Sequence, residues 1–384
     1  MYSGNTPSRL NKEHFKGTVN WISSGELKEH YIYSSKEQIS EEAAKSLKLL
    51  PVGTFVIAIY GLEADGVRGT GSITQEPSTI SQACMSFIPK GVIENEFLYS
   101  WYKKHGNVIG IRYAQGTKQQ NLSYDILEKF RIAYPNTKEQ EKLNKFISLL
   151  DERIATQNKI IEDLKKLKSA IIEKVFCSPN QKNPMCRIEG FEQALSTYKM
   201  SDFSSRIATK NKDSKCSLVL TIAAQYGLVN QESFFNKSVA SKNLTGYYLL
   251  HKGEFAYNRS YSAGYDWGAV KRLDNYDEGV LSTLYICFKI NETIVDSDYL
   301  TYYFESTKWH RGLSDIAGEG ARNHGLLNVS ITDYFNTKHR FPVIEEQKAI
   351  AKMLNTITEK ERKATLLGEC YQKQKQYLLR QMFI

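Results

Sequence analysis

Two short segments have the acidic-x-lysine spacing found in some nucleases. They are Asp163-Leu164-Lys165 and Glu361-Arg362-Lys363. Both lie in long stretches with helical periodicity, where charged residues of both signs are typical of a solvated helix face. We therefore interpret both segments as surface charges, and we predict no catalytic residue in this chain.

Other patterns associated with catalysis are incomplete. The segment from Gly69 to Thr74 begins like a dinucleotide-binding loop, but it lacks the third glycine and does not open an evident helix. The ATP-binding pattern G-x-x-x-x-G-K-[ST] is absent. The seven histidines show no ligand spacing with the cysteines, so no metal site is predicted. The six cysteines form no C-x-x-C pair, which indicates reduced thiols in a cytosolic protein.

The two acidic-x-lysine segments belong to a stretch that occurs twice, over residues 138–176 and 345–383. The two copies are offset by 207 positions, which divides the chain into two similar halves. Each copy follows a proline at the same distance, opens on an acidic residue and a glutamine, and closes on an apolar pair. These matched residues are Pro135 and Pro342, Glu139-Gln140 and Glu346-Gln347, and Val175-Phe176 and Met382-Phe383.

Each copy is predicted to form one long helix, because its apolar residues recur at spacings of three, four or seven. At ~1.5 Å per residue, each helix is roughly 55–60 Å long, so we expect it to pack against its counterpart. The apolar stripes also include Phe146, Leu167, Leu366, Leu367 and Tyr377. The predicted helix-pair interface consists of Leu143, Leu150, Ile154, Ile161, Leu164, Ile171, Ile350, Leu354, Ile357 and Leu378. Two unrelated surface helices are the alternative.

The composition is that of a folded protein with more than one domain. The chain has 384 residues, including 24 Tyr and 17 Phe, and a formal net charge of +9. A basic excess of this size suits a polyanion partner, although many basic proteins bind none. No stretch approaches ~18 consecutive apolar residues and no signal pattern opens the chain. We expect a cytoplasmic protein that does not associate with membranes.

The segments outside the helices follow a common plan in both halves. A buried strand over residues 55–60 in the first half is mirrored by residues 253–257 in the second. A strand over residues 130–134 is predicted to end at Pro135. We therefore predict an α+β fold with a pseudo-two-fold repeat. Its parts are globular domains at 1–137 and 198–344, long helices at 138–176 and 345–384, and a linker at 177–197.

The chain resembles the DNA-specificity (S) subunit of type I restriction–modification enzymes over nearly its whole length. The matching segments are Gly4-Asn5-Thr6-Pro7-Ser8, Trp21-Ile22, Ile59-Tyr60-Gly61, Ser81-Gln82-Ala83, residues 116–123, Arg187-Ile188-Glu189-Gly190-Phe191 and both long helices. The resemblance implies that each half holds a target recognition domain for one part of a split site in double-stranded DNA. It also implies that the two helices pack antiparallel as a spacer between the domains.

The resemblance further implies partners that this chain needs for activity. Two methyltransferase (M) subunits dock on such a subunit, and restriction/motor (R) subunits join for cleavage. The assembled complex of the family is an adenine-N6 DNA methyltransferase and type I site-specific endonuclease. S-adenosylmethionine and ATP with Mg are expected only on the partner subunits, which agrees with the absence of any Pro-Pro segment of the methyltransferase type here.

The chain departs from the family pattern at its start. Family members have ten to twenty further residues before the segment equivalent to residues 4–8. The second half has them, around residues 198–203. We therefore expect either that the first domain is short at its N-terminus and lacks an opening strand, or that the true start of the chain lies upstream.

The predicted DNA contacts lie in the loops that differ between the halves. Gln pairs with adenine and Arg with guanine in the major groove, while Lys contacts phosphates. Each candidate is also explained as an ordinary loop residue, and the segment of Gln119 and Gln120 as structural. The candidates are Arg68, Lys118, Gln119, Gln120, Arg259, Tyr261, Tyr265, Trp267, Arg322 and Asn323.

A coiled-coil assembly module whose globular domains bind protein is the second hypothesis. Binding to duplex DNA that weakens steeply with salt favours the DNA-specificity hypothesis, and absent or salt-insensitive binding favours the assembly module. A hydrolase that uses loop His and Asp residues is a third hypothesis with negligible motif support.

Overall fold

The structure is a computed structural model that describes residues 1–89, 91–116, 118–237, 240–241, 243–260, 264–316, 327 and 329–383. It divides into two compact units. Unit 1 comprises Met1–Asn158 and Leu366–Ile384, and unit 2 comprises Lys159–Thr365. The predicted α+β class with two domains is confirmed, and the finer domain bounds given above stay a prediction.

Unit 1 is built on a five-stranded sheet and a three-stranded sheet. Its strands are β1 (Tyr2–Ser3), β2 (Val19–Ile22), β3 (Tyr31–Ile32), β4 (Gln38–Ile39), β5 (Phe55–Ala58), β6 (Gly71–Thr74), β7 (Ser78–Ile80) and β8 (Cys84–Phe87). The sheet orders are β1-β8-β5-β6-β3 and β4-β2-β7. Strand β5 is central because all four of its residues are apolar and buried, as the sequence predicts for this run.

Helices complete unit 1 and cover its main sheet. They are α1 (Glu41–Lys45), α2 (Asn95–Tyr113) and α3 (Tyr124–Leu127), followed by the long helix α4 (Thr137–Val175), with 3₁₀ turns at Lys12–Phe15 and Ser24–Glu26. Ser40 and Ser123 cap α1 and α3 with their side chains. Helix α2 contributes Phe97, Leu98, Trp101 and Tyr102 to the core formed with β5.

Unit 2 repeats the main sheet with the order β10-β17-β14-β15. Its strands are β9 (Ser196–Lys199), β10 (Ser204–Arg206), β11 (Leu220–Ala223), β12 (Gly227–Asn230), β13 (Tyr248–His251), β14 (Phe255–Asn258), β15 (Ala269–Arg272), β16 (Glu278–Leu281), β17 (Ile286–Ile290) and β18 (Lys338–Phe341). Its helices are α5 (Met200–Phe203), α6 (Gln231–Phe235), α7 (Ser297–Tyr303), α8 (His310–Ser314), α9 (Ile331–Asn336) and the long α10 (Ile344–Met382), with a 3₁₀ turn at Lys212–Ser214.

The register of the sheets shows that the two units share one plan. Phe55 of β5 pairs with Phe87 of β8, and Phe255 of β14 pairs with Phe288 of β17. Strand β6 pairs antiparallel with β5 as β15 does with β14. Additional two-stranded sheets, β11-β12 and β13-β16, occur in unit 2. The frame therefore repeats while the surrounding loops differ.

Helices α4 and α10 each contain 39 residues and bury a stripe with heptad spacing. In α10 the stripe includes the buried Gln347, Ile350, Leu354 and Ala364. Of the predicted interface residues, Ile350 and Leu354 are buried, and Leu143, Leu150, Ile154, Ile161, Leu164, Ile171, Ile357 and Leu378 are half-buried. Phe146, Leu167, Leu366, Leu367 and Tyr377 are exposed, because the strict heptad seam leaves them on other faces of the helices.

Within each unit the segments of the two helices run antiparallel. In unit 1, Asp151 pairs with Lys375, and the Arg153 guanidinium lies over the ring of Tyr371. Residue numbers therefore increase along α4 where they decrease along α10. In unit 2, Lys168 pairs with Glu361 at 2.8 Å. Four residues further along α4, Ile172 shares a core with Ile350 and Leu354.

One predicted strand does not form. Residues 130–134 form no strand, whereas the equivalent residues of unit 2 form β18, which pairs with β9. Phe130 and Ile132 of this segment nevertheless pack on the core. A strand needs a neighbour for its backbone groups, and the described part of unit 1 supplies none at this edge.

The described part of the chain contains neither a candidate membrane-spanning helix nor a candidate metal-binding group. No helix in the described part of the chain is long and apolar enough to cross a membrane. Among the described residues, no group of three or more His, Cys, Asp or Glu side chains is placed to hold a metal ion. All six cysteines are free thiols.

Candidate nucleic-acid interface

Arg68 and Gln120 are brought together in unit 1, although 52 residues separate them. Arg68 Nη2 donates to Gln120 Oε1 over 2.8 Å. The Arg68 stem lies against Gly110 of α2, where a Cβ atom would come within 2.5 Å of Arg68 Cγ. Gly69 has φ +72° and approaches the backbone of Asn107 closely, which only glycine permits here. The glycines of this region therefore position the guanidinium beside the 118–121 segment.

The backbone of Gln120 is held as well. Its N–H donates to Glu63 Oε2 over 2.8 Å, and its carbonyl accepts from the N–H of Leu62. The hydrogen bond from the Gln120 N–H lowers the pKa of Glu63. Asn121 continues the connection through bridges to Gln115 and Tyr60. The segment is thus tied to the loop at residues 60–69, which supports the structural interpretation of Gln120.

Lys118 and Gln119 differ from Gln120 in being exposed. They project from a loop whose ends are fixed by the hydrogen bonds of Gln120 and Asn121. A fixed loop with exposed lysine and amide side chains is suited to contact a phosphate and a base edge.

Arg259 of unit 2 is used inside the protein. Its Nε and Nη2 donate to the carbonyl of Leu284 over 3.3 and 3.1 Å, and its Nη1 donates to the carbonyl of Val329 over 3.1 Å. Its own carbonyl accepts from the N–H of Leu327. The guanidinium therefore joins three loops of unit 2. These contacts favour a positioning role over direct DNA contact.

Tyr265 and Trp267 lie in the loop before β15 and pack inward in part. Burial raises the pKa of Tyr265, and the Lys271 ammonium lies 5.9 Å from its ring centroid. Trp267 packs on the main core of unit 2, and its carbonyl accepts from Tyr257 Oη over 2.9 Å. Both side chains therefore pack in part against unit 2, and DNA contact by them stays a prediction. Tyr261, Arg322 and Asn323 lie outside the described residues.

An exposed aromatic group in unit 2 was missed by the sequence reasoning. Tyr226 lies at the turn of the β11–β12 hairpin and is 69% exposed. Phe234 and Phe235 of α6 lie beside it, with the Tyr226 and Phe234 ring centroids 6.5 Å apart. Gly227 has φ +86°, as a tight turn requires. Two apolar runs flanking this turn glycine were the available signal.

The acidic-x-lysine segments do not form a site. Asp163 and Lys165 are exposed on α4, and Glu361 is engaged by Lys168. The positions of Asp163 and Lys165 agree with the interpretation as surface charges, whereas Glu361 is a largely buried charge paired between the two helices.

The first half of the chain is similar to known proteins. Residues 2–166 match the model of the type I restriction modification DNA specificity domain. The chain is 30% identical over 179 residues to the specificity subunit of the type I restriction enzyme MjaIX of Methanocaldococcus jannaschii, covering 45% of this chain and 40% of that protein. It is 31% identical over 168 residues to the EcoR124I/EcoR124II specificity subunit of Escherichia coli, covering 42% and 40%. The matched segments thus span about two-fifths of these relatives.

Solved structures extend the likeness in fold to the whole chain. The S subunit of a type I restriction–modification system from M. genitalium has a TM-score of 0.53 and 16% identity, covering 100% of this chain and 93% of that chain. A chain from a structure of a type I R-M system has a TM-score of 0.57 and 13% identity, covering 98% and 93%. Residues 2–166 are therefore similar to the type I restriction modification DNA specificity domain, and the fold of the chain resembles that of the solved S subunit from M. genitalium.

Proposed function

We propose that this chain is the sequence-specific DNA-binding subunit of a type I restriction–modification system. One observation carries the proposal: the segment that matches a DNA specificity domain includes the main sheet of unit 1, and the register of that sheet recurs in unit 2. Two similar units with different loops suit the recognition of two different half-sites. In this proposal each unit binds one part of a bipartite site in double-stranded DNA.

Electrostatics and loop chemistry support a duplex DNA substrate. The net charge of +9 favours a polyanion, and the exposed Lys118 and Gln119 present phosphate-binding and base-binding groups. The exposed Tyr226 adds an aromatic side chain to the candidate surface of unit 2. Lysine contacts would fix the register on the duplex, and amide contacts would provide sequence preference.

The helical pair is proposed to set the unrecognised gap between the half-sites. A 39-residue helix is ~58 Å long at ~1.5 Å per residue. Duplex DNA rises ~3.4 Å per base pair, so a change in helix length converts into a change in site spacing.

The catalytic steps are assigned to partners. We propose two methyltransferase subunits and, for cleavage, restriction/motor subunits. S-adenosylmethionine and ATP with Mg would bind to those partners, because this chain shows no sequence pattern for either. Specificity subunits of this family are non-catalytic, and in this proposal the present chain selects the DNA site and assembles the complex.

Co-expression with a methyltransferase encoded beside it tests the proposal. The expected product is a stable complex with two methyltransferase copies that methylates one bipartite sequence, detected by sequencing the methylated DNA of the host. The complex should also bind random duplex DNA with an affinity that falls steeply with salt. Failure to bind either DNA or a methyltransferase would instead favour a protein-assembly module.

A further inference from the structure

His30 lies between two tyrosine rings in unit 1. Its ring centroid is 4.0 Å from the centroids of Tyr31 and Tyr99, with interplanar angles of 10° and 3°. Two rings stacked at the same distance on one face would overlap, so the tyrosines cover opposite faces of the imidazole. The negative faces of both rings therefore favour a positive charge on the side chain between them.

Both ring nitrogens of His30 face a carboxylate. Nε2 lies 2.8 Å from Oε2 of Glu96 on α2, and Nδ1 lies 3.8 Å from Oδ2 of Asp151 on α4. A neutral imidazole donates from only one nitrogen, whereas the imidazolium donates from both. Within the described part of unit 1, Asp151 Oδ2 is buried and has no hydrogen-bond partner. The imidazolium is therefore the form of His30 that serves both carboxylates.

Charged side chains from every element packed around the ring balance this positive charge. Burial raises the pKa of Tyr31 to about 12 and also raises that of Tyr99, so both phenols stay neutral near pH 7. Among the described residues, three carboxylates and two ammonium groups act on one another here, and the imidazolium brings their formal sum to zero. They are Glu29 before β3, Glu96 and Lys103 on α2, Asp151 on α4 and Lys375 on α10.

Unit 2 connects its main sheet, α7 and α10 through a cation that does not titrate. Arg272 Nη1 of β15 donates to Asp298 Oδ1 of α7 over 2.8 Å. Asn355 Nδ2 of α10 donates to the other oxygen of Asp298 over 2.7 Å. Arginine stays charged in proteins, so the connection in unit 2 does not depend on a change of protonation near neutral pH.

His30 has the corresponding position in unit 1. Glu96 and Asp298 are each the second residue of the helix that covers the main sheet. Ile73 has the sheet position of Arg272, because each pairs with the first residue of the central strand. The N–H of Ile73 donates to the His30 carbonyl over 2.8 Å. Unit 1 therefore has a titratable side chain where unit 2 has a fixed charge.

We infer that the imidazolium of His30 is a positioning group that connects β3 and α2 to the long helix α4, and that this connection weakens when the ring loses a proton. The protonated ring binds Glu96 and Asp151 together. The neutral ring releases its Nδ1 proton to solvent, keeps the hydrogen bond to Glu96 and presents a lone pair to Asp151. The stabilisation is thus present in mild acid and lost as pH rises. The inference goes beyond the proposed function and does not depend on DNA binding.

A double-mutant cycle at two pH values tests the inference in the full chain. The variants are His30→Gln, Asp151→Asn and their combination. Amide hydrogen exchange in the buried strand β5, corrected for the intrinsic effect of pH, gives the opening equilibrium constant of unit 1. The coupling between the two positions should change that constant by about three- to tenfold at pH 5.5 and by less than about twofold at pH 8.5. No coupling at pH 5.5, or equal coupling at both pH values, would overturn the inference.

The ion pair of unit 2 provides the matched control. A cycle of Arg272→Gln and Asp298→Asn, measured from exchange in β14, should give the same coupling at both pH values because arginine stays charged. A coupling that falls equally in both units would assign the effect to the carboxylates and contradict the inference.

The single variant Asp151→Asn keeps the test available if His30→Gln does not fold. Its effect on exchange in β5 should be about three- to tenfold larger at pH 5.5 than at pH 8.5, since only the protonated ring binds the carboxylate. An effect of the same size at both pH values would show that His30 does not act on α4 through its charge.

Discussion

Gln140 and Gln347 lie 207 positions apart and make the same three hydrogen bonds in their respective units. Each amide donates from Nε2 to two backbone carbonyls and accepts at Oε1 from a backbone N–H. For Gln140 the partners are Val92, Pro135 and Glu94, at 3.0, 2.8 and 2.9 Å. For Gln347 they are Ile294, Pro342 and Asp296, at 3.0, 2.9 and 2.9 Å. The hydrogen bonds of each glutamine therefore connect the start of a long helix to backbone groups elsewhere in its unit.

Replacing either glutamine with alanine should destabilise its unit by about 2–3 kcal/mol. Both side chains are buried, and truncation leaves one N–H and two carbonyls without partners. Chemical denaturation of Gln140→Ala and Gln347→Ala measures the loss in free energy of unfolding. Amide hydrogen exchange at residues 92–94 and 294–296 then shows whether the loss is local to the hydrogen bonds. The exposed Gln374 of α10 provides the control, and Gln374→Ala should change stability by less than about 0.5 kcal/mol. Equal effects of buried and exposed substitutions would contradict the shared role.

The ion pair of Lys168 and Glu361 should contribute more than a surface pair. It lies in the helix seam with side chains that are 20% and 16% exposed. Lys168→Met or Glu361→Gln alone should cost about 1–2 kcal/mol, and the double variant should recover part of that loss. A double-mutant cycle in denaturant measures the coupling. Additive single effects would show that the two charges do not interact.

The same pair predicts a loss of stability at high pH. Burial lowers the pKa of Lys168, but the hydrogen bond to Glu361 and the nearby carboxylates of Glu305 and Glu361 together raise the pKa above the ordinary 10.5. The stabilisation is fully present below the unfolded-state pKa and is lost as pH rises through the folded-state pKa. Thermal midpoints of the wild type between pH 9 and 11 should fall more than those of the double variant.

His339 should make unit 2 sensitive to mild acid. Complete burial lowers its pKa to about 3, and its ring bonds Tyr303 Oη and Thr337 Oγ1 at 3.0 and 2.9 Å. Because the unfolded chain binds a proton near pH 6.5 and the folded chain does not, stability is present above that pH and falls below it.

The expected loss is up to about 2 kcal/mol between pH 7 and pH 5. His339→Gln should remove most of that dependence while lowering stability at pH 7. His251→Gln, at an exposed position of the same unit, should leave the pH dependence intact. An unchanged dependence in His339→Gln would assign the acid sensitivity to other groups.

Lys118 and Gln119 should have separable effects on DNA binding. Lys118→Gln removes a phosphate contact, so affinity should fall similarly for all sequences, and the salt slope should decrease by about 1. Gln119→Ala should weaken binding to the preferred half-site by about 5- to 100-fold and leave non-specific binding unchanged. Fluorescence anisotropy over a salt series measures both effects. A loss of sequence specificity in Lys118→Gln, or an equal loss of affinity for all sequences in Gln119→Ala, would show that the two residues have the opposite roles.

The repeat and the periodicity of the chain were sufficient to predict the frame. The shared positions of Pro135 and Pro342 locate the long helices, whose observed bounds begin one residue earlier than predicted. A buried strand at residues 55–60 follows from its continuous apolar run, and the structure has it at Phe55–Ala58. These features depend on residues that are close together in the chain, so the sequence pattern is enough to predict them.

The features that depend on distant partners were not predictable. Residues 130–134 have strand-like composition but lack the neighbour that β9 provides to β18. Arg259 looked like a DNA contact, yet it binds the carbonyls of Leu284 and Val329, which only the folded loops bring near. Pairings of this kind depend on tertiary structure and leave no trace in spacing or composition.

The most direct test of the proposed spacer is to shorten both helices by one heptad, deleting residues 158–164 and 363–369. Seven residues preserve the heptad seam and remove ~10.5 Å, which equals about 3 base pairs. Selection from a DNA library with two fixed half-sites and a variable gap then measures the preferred spacing of the complex. The account predicts the same half-sites with a gap about 3 base pairs shorter. An unchanged gap, in a variant that still binds both half-sites, would contradict it.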